Sequence, residues 1–437
     1  MKKRGVSGCS VCVARQGRVV FSRGFGDRRS SRSAGGGLVD ERTRFNTSSV
    51  TKAVLAIAIA RLESKGLLAL DEAVDAHLPS SLKRFAGHSI TMRQLLAHTS
   101  GVDKPGESRS YLCGESMPSV EEWLNGDSRR HAWARCAAQA DVTFCPGMSL
   151  HYSNSGVALA GLVACTCAKV KGLQELMDAV LFRPLKLGCT FDPRCLTNYA
   201  EPVPRPDGVP PGAVLCYPDI GAGGLWATSA EVMSIGLALC RAVQGGGDTP
   251  WSRAARNLLQ EAFRTSAGIG VVCCGFDTRL DSSVWKDGDD TGFKSQVGWD
   301  VVSGDGVVVL ANSDSDATRD FINDVVGLVQ NAFGLSLQGG PLAGPIAEPE
   351  EGPEAARWHG KYATANGVCV IGPGTERGNL TARYNGHTSE LTWSASSRSD
   401  TFLAGDWGNA VFVFGESHFV MVASTSDYPV VERFEKQ

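Results

Sequence analysis

Ser49-Val50-Thr51-Lys52-Ala53-Val54-Leu55-Ala56-Ile57-Ala58-Ile59-Ala60 is the stretch that decides how this chain folds. The polar segment Asn46-Thr47-Ser48 ends at Ser49, and the residues after Lys52 are apolar on every face, which predicts a central helix buried all round. The apolar run stops at Arg61-Leu62-Glu63, far short of the ~20 residues of a membrane span. A serine opening such a helix lies beside backbone N–H groups that have no partner within the helix, at the positive end of its dipole. A lysine three positions on rises from the same face. Acyl transfer needs a hydroxyl nucleophile, a nearby proton acceptor and donors for a developing oxyanion, and these four residues can begin all three.

Ser-x-x-Lys also occurs at Ser80 to Lys83 and Ser283 to Lys286, so context selects among them. Ser80 follows Pro79 and has no long apolar helix after it, and Ser283 precedes a Gly/Asp-rich turn. Two further motifs follow Ser49 in order. Tyr152-Ser153-Asn154 comes after Phe144-Cys145-Pro146-Gly147, whose Pro-Gly pair reads as a turn presenting the next segment. Lys286-Asp287-Gly288 precedes a Gly292-Phe293 turn and the strand-like run Gly306-Val307-Val308-Val309-Leu310.

With Arg44 to Ser48, Leu95 to Gly101, Pro184 to Leu187, Gly223 to Thr228 and Leu310 to Asn312 in the same order, the chain resembles the serine β-lactamase and penicillin-binding-protein superfamily. The likeness is to its class C-like, esterase and D-aminopeptidase-like branch and covers roughly residues 6 to 335. It implies an α/β (α+β) architecture of the β-lactamase/transpeptidase type. In that architecture an antiparallel sheet from both ends of the domain is flanked by helices, a helical subdomain is inserted at about 67–265, and the site lies at their junction. Val11 to Phe25, alternating around Gln16-Gly17-Arg18, reads as the opening hairpin of that sheet, and Arg28 to Gly37 as a loop. Residues 336–353, dense in Gly, Pro and Glu, read as a linker. Beyond it, Val368 to Ile371, Leu380 to Tyr384, Glu390 to Trp393, Ala410 to Phe414 and Phe419 to Ala423 have the spacing of a small antiparallel barrel over 354–437. Trp358 to Tyr362 resembles the start of the lipocalin-like domain that some relatives carry.

The resemblance implies roles. Ser49 is the nucleophile that forms an acyl-enzyme, and its proton passes to Lys52 or Tyr152. Their reference pKa values of about 10.4 and 10 must fall by about 3 units for either to act as a base at neutral pH. Lys286 could depress either one, so the sequence leaves the base open. The N–H groups of Ser49 and Asp289 would form the oxyanion hole beside Gly288, and Asn154 would orient Lys52 and meet the substrate amide. Each has a plainer rival: Tyr152 as a packed aromatic, Asn154 as a helix cap, Lys286 as a turn residue. His98 reads as structural, where a helix ends in a loop, and Trp226 as core or cleft wall.

Asp287 stands where the family usually has Thr, Ser or a small residue, and Asp289 and Asp290 follow it. Three carboxylates at that edge lead to the expectation of neutral or amine-bearing substrates over penicillin-like acids. The function expected is hydrolysis of an ester, amide or lactam bond. The alternatives are acyl transfer to an acceptor other than water, and a non-catalytic scaffold that kept the fold.

Composition narrows the partners. The 437 residues carry a net charge of −3 and no basic run interleaved with aromatics, so neither nucleic acid nor an anionic membrane is expected, and the oligomeric state stays open. Met1-Lys2-Lys3-Arg4 leads into no apolar stretch of secretory length, which points to the cytoplasm and to reduced thiols among the 14 cysteines. Cys9 and Cys12 lie three apart in a predicted strand and so face opposite sides, and the eight histidines form no His-x-x-x-His pair. No cofactor or metal is expected.

Overall fold

The computed structural model describes residues 1–29, 37–104, 111–113, 117–126, 139–143, 145–147, 150–203, 214–245, 248–260, 263–264, 271–338, 359–364, 367–373, 380–384, 387–393, 401–404, 410–414, 418–424 and 429–436. The linker read at 336–353 lies outside them from 339 on, as do Trp358, Phe144 and most of the loop after Arg29. The chain divides into two compact units, Met1–Phe263 with Val272–Ala343 and Arg264–Val271 with Gly344–Gln437.

The larger unit is built on an antiparallel sheet. Its six long strands are β1 (Gly8–Arg15), β2 (Arg18–Gly26), β3 (Phe276–Leu280), β4 (Ser283–Asp290), β5 (Phe293–Asp300) and β6 (Gly306–Ala311), in the order β2-β1-β6-β5-β4-β3. Two short strands beyond β3 bring the sheet to eight. The opening hairpin turns at Gln16 and Gly17, both with positive φ (50° and 74°), as the type I′ turn favoured between twisted strands requires. Pairing of Cys9 with Ala311 joins the start of the chain to the end of this unit, so the sheet is assembled from both ends.

Strand alternation divides the core in two. Cys12 and Ala14 of β1 face one side with Val308 and Leu310 of β6, while Cys9, Val11 and Val13 face the other with Val307 and Val309. Cys9 and Cys12 therefore lie in different cores, as their spacing predicts. The first face receives helix α1 (Val50–Glu63), whose residues from Val50 to Ala60 are all buried, so the helix is enclosed on every side. With α1 pack α2 (Asn154–Ala168) and α3 (Ser229–Gln244), each started by a side-chain cap: Ser153 Oγ accepts from the Gly156 N–H, and Thr228 closes a capping box with Glu231. The second face is covered by α4 (Asp316–Phe333), which buries the one-sided stripe Thr318, Ile322 and Val326. Among the described residues no single helix is long and apolar enough to cross a membrane.

The smaller unit contains a closed barrel of eight antiparallel strands, each paired with the next and the first with the last through Tyr362↔Lys436 and Ala363↔Glu435. Closure leaves no free sheet edge. Tyr362, Cys369, Ile371, Leu380, Ala382 and Leu391 point inward and are buried, whereas Lys361, Val370 and Arg383 between them are exposed. The five strand-like runs of the sequence all fall in barrel strands. Gly360–Thr364, Thr401–Ala404 and Pro429–Lys436 complete the ring.

Candidate active site

Ser49 is presented by a constrained turn. Ser48 has φ +51°, a left-handed conformation unusual for a residue with a Cβ, and the Asn46 Oδ1 holds it by accepting the Ser48 N–H at 2.6 Å. The chain then enters α1 at Val50, with Ser49 already at helical dihedrals (φ −66°, ψ −6°). Lys52, one turn on and fully buried, donates from Nζ to Ser49 Oγ at 2.9 Å and to the Ala222 carbonyl at 2.7 Å. Tyr152, just ahead of α2, reaches the same Ser49 Oγ with its hydroxyl at 2.7 Å. Residues expected from two separate motifs thus meet at one oxygen.

The charges around Tyr152 are ordered. Lys52 Nζ lies 4.8 Å from the centre of its ring and Lys286 Nζ 5.4 Å. Burial alone raises the tyrosine pKa, but the two neighbouring ammonium groups outweigh it and hold the phenol below its ordinary value. Tyr152 is 48% exposed, and the field of the two lysines sets the direction of its shift. Lys52 is pushed down, first by burial and further by Lys286, against the pull of Tyr152.

Lys286 behaves oppositely. Burial works to lower it, yet Asp277 more than reverses this and holds it above the ordinary lysine range. Its Nζ is 2.6 and 2.7 Å from the two Asp277 carboxylate oxygens, the second of which also accepts the Asp287 N–H at 2.9 Å. Two lysines therefore flank one tyrosine, one with its pKa lowered and one with its pKa raised.

His98 supports this arrangement. It is buried, stacks on Tyr152 with ring centres 4.3 Å apart, and accepts the Ser153 N–H on Nδ1 at 3.1 Å. Burial, then Lys52 and Lys286, push its pKa down to about 3, so it stays neutral at physiological pH and holds the tyrosine in place. The sequence reading of a structural histidine at a helix end agrees: the helix Met92–Leu96 stops two residues before it.

The third motif departs from the sequence expectation. Lys286, Gly288 and Asp290 alternate with Asp287 and Asp289 along β4, so the two sets face opposite sides of the sheet. Asp287 pairs across strands with Gln296, which donates to it at 3.0 Å, and Asp289 pairs with Lys294. Arg319 of α4 lies 3.6 Å from Asp287 and 4.0 Å from Asp289. These two carboxylates are on the α4 side and matched by cations, so the expected cluster of three negative charges on the Lys286 face does not form. Asp290 alone shares the Lys286 face; it accepts from the Tyr217 hydroxyl at 2.7 Å, and burial raises its pKa to about 6.

Gly288 explains itself by contact. A Cβ there would lie 2.1 Å from Ser295 Oγ, 2.7 Å from the Thr47 carbonyl and 2.9 Å from Ser48 Cβ, so the strand passes the Ser48–Ser49 turn with no room for a side chain. Because N–H directions alternate along a strand, the Asp289 N–H points to the same edge as that of Asp287. Asn154 opens α2 half-buried, and the capping role is taken by Ser153 instead. Ile220 and Gly224, which flank Ala222, line a cavity of about 390 Å³ with Cys113, Phe191, Tyr217 and Trp226; Ser49, Lys52 and Tyr152 are not among its lining residues. Trp226 is both buried and part of that wall.

Asp277 is the residue that sequence reasoning missed. It belongs to no motif, but the β3–β4 hairpin pairs Thr278 with Trp285, which places Asp277 opposite Lys286; locating the Asp281-Ser282 turn would have revealed it.

The Beta-lactamase family profile matches residues 1–331. Esterase EstB of Burkholderia gladioli is 31% identical over 223 residues, 48% of this chain and 53% of EstB. Protein flp of Staphylococcus aureus is 27% identical over 203 residues, 46% of this chain and 37% of flp. The chain thus matches about half or less of the length of these curated relatives. Among solved structures, SurE superimposes with a TM-score of 0.61 at 21% identity, covering 100% of this chain and 96% of SurE. By the extent of the profile match, the chain belongs to the Beta-lactamase family.

Proposed function

We propose that this protein is a serine hydrolase that cleaves an ester or amide bond, peptide-like or lactam bonds included, through an acyl-Ser49 intermediate. The observation that carries this reading is the joint approach of Lys52 Nζ (2.9 Å) and the Tyr152 hydroxyl (2.7 Å) to Ser49 Oγ, with both groups lowered in pKa. Ser49 Oγ attacks the carbonyl carbon, its proton enters the coupled Lys52–Tyr152 pair, and the same pair returns a proton to the leaving group. The N–H groups of Ser49 and Asp289 stabilise the oxyanion. Lys286 keeps the positive field on Tyr152, and Asn154 contacts the acyl portion. Water then releases the acyl group. The esterase name of EstB favours ester cleavage as the first activity to assay.

We read the chain as a hydrolase domain over 1–335 with its helical subdomain at about 67–265, a linker over 336–353 and a lipocalin-like barrel over 354–437, acting in the cytoplasm on a small-molecule substrate. The test of mechanism is intact-mass analysis after mixing with a slowly deacylating ester. An acyl adduct mapping to Ser49 supports it, with Tyr152→Phe slowing acylation by about 10²–10⁴-fold. Turnover with no adduct, and no effect of Tyr152→Phe, contradicts it.

A further inference from the structure

The cavity beside the site holds a pair of thiols that the proposed chemistry does not use. Cys113 follows the short strand Tyr111–Leu112, and Cys216 ends the strand Leu215–Cys216 that pairs with it. The Cys113 N–H also donates to the Val214 carbonyl at 3.0 Å, so the backbone fixes the two segments side by side. Their sulfurs are 2.8 Å apart, and both cysteines line the 390 Å³ cavity. A disulfide has its sulfurs about 2.05 Å apart, so bonding requires them to close by less than about 1 Å. Among the other described cysteines nine are buried, and Cys145 and Cys195 are exposed.

We propose that Cys113 and Cys216 form a reversible oxidation site, closing to an intramolecular disulfide by exchange with a small-molecule disulfide such as oxidised glutathione. One cysteine thiolate attacks a sulfur of the small disulfide, giving a mixed disulfide and releasing one thiol. The second cysteine, as thiolate, attacks the protein-bound sulfur, forms the Cys113–Cys216 bond and releases the second thiol. Two electrons pass from the cysteine pair to the small disulfide, and the two cysteine protons end on the released thiols. Burial and the neighbouring Cys113 raise the Cys216 thiol, so the exchange accelerates with pH. The bond would fix the spacing of the two strands that wall the cavity, next to Tyr217 and its hydrogen bond to Asp290.

The readout is thiol state, which is independent of whether the protein hydrolyses any ester. The fully reduced full-length protein is incubated with oxidised glutathione at mildly alkaline pH, quenched with an alkylating agent and mapped by peptide mass spectrometry. A Cys113–Cys216 linked peptide that forms ahead of other products, with a raised thermal unfolding midpoint reversed by a reducing agent, is the expected result. In Cys216→Ser the same treatment should leave glutathione lodged on Cys113, since the resolving thiol is gone. The proposal is overturned if glutathione accumulates on the exposed Cys145 and Cys195 while Cys113 and Cys216 are both recovered as free thiols. It is equally overturned if the Cys113 adduct persists as long in the wild-type protein as in Cys216→Ser.

Discussion

The Lys286 ammonium sits between the Asp277 carboxylate, 2.6 and 2.7 Å away, and the Tyr152 ring, 5.4 Å away. Asp277 keeps the lysine charged, and the charged lysine helps keep the phenol of Tyr152 below its ordinary pKa. Replacing Asp277 with Asn leaves a buried cation without its counterion, so Lys286 loses its proton at lower pH. Tyr152 then loses one of its two cationic neighbours and its pKa rises. The acid limb of kcat/KM should move to higher pH in Asp277→Asn, with activity at neutral pH falling about tenfold or more. A pH profile superimposable on that of the wild type would remove Asp277 from this chain of effects.

The same pair makes a linked prediction for stability. The Asp277 carboxylate is held below its unfolded value, so its contribution is present above about pH 3.9 and fades as pH falls through the lower folded-state value. Acid unfolding of Asp277→Asn, followed by circular dichroism, should lose that component of its pH dependence. Parallel acid-unfolding curves for the two proteins would count against a strongly paired Asp277.

His98 should not titrate near neutrality. With its pKa pushed to about 3, the imidazole is neutral through the working range, and its ring proton shifts should stay flat from pH 5 to 8 by NMR. A midpoint near 6.5 would show that the ring is far more hydrated than its stacking on Tyr152 implies.

Gly288→Ala tests the close passage of β4 by the Ser48–Ser49 turn. A methyl group 2.1 Å from Ser295 Oγ and 2.7 Å from the Thr47 carbonyl forces the strand outward, at a cost of about 1–3 kcal/mol. The shift moves the Asp289 N–H away from Ser49, so kcat should fall by about 10²-fold or more in protein that still folds. Wild-type turnover in a folded Gly288→Ala protein would show that this edge takes no part.

What the sequence revealed and what it hid follow from the range of the interactions. Ser49 and Lys52 are one helical turn apart, and the helix carrying them is marked by an unbroken apolar run, so local periodicity was enough. Tyr152 was found through its motif order, although its distance from Ser49 is set by a fold spanning 103 residues. Asp277 required the register of a hairpin, which depends on where a two-residue turn falls. The charge inference at Asp287 and Asp289 failed for a simpler reason: Lys286 facing the site sends both to the other side of the sheet, where Arg319 and Lys294 meet them.

The most direct test of the account is hydrolysis of a short-chain p-nitrophenyl ester by the purified protein beside its Ser49→Ala variant, with the folding of both verified by circular dichroism. The account predicts saturable hydrolysis by the wild-type protein and only the uncatalysed background in Ser49→Ala. Equal rates in the two folded proteins would contradict it, because the oxygen on which Lys52 and Tyr152 converge would then not be the nucleophile.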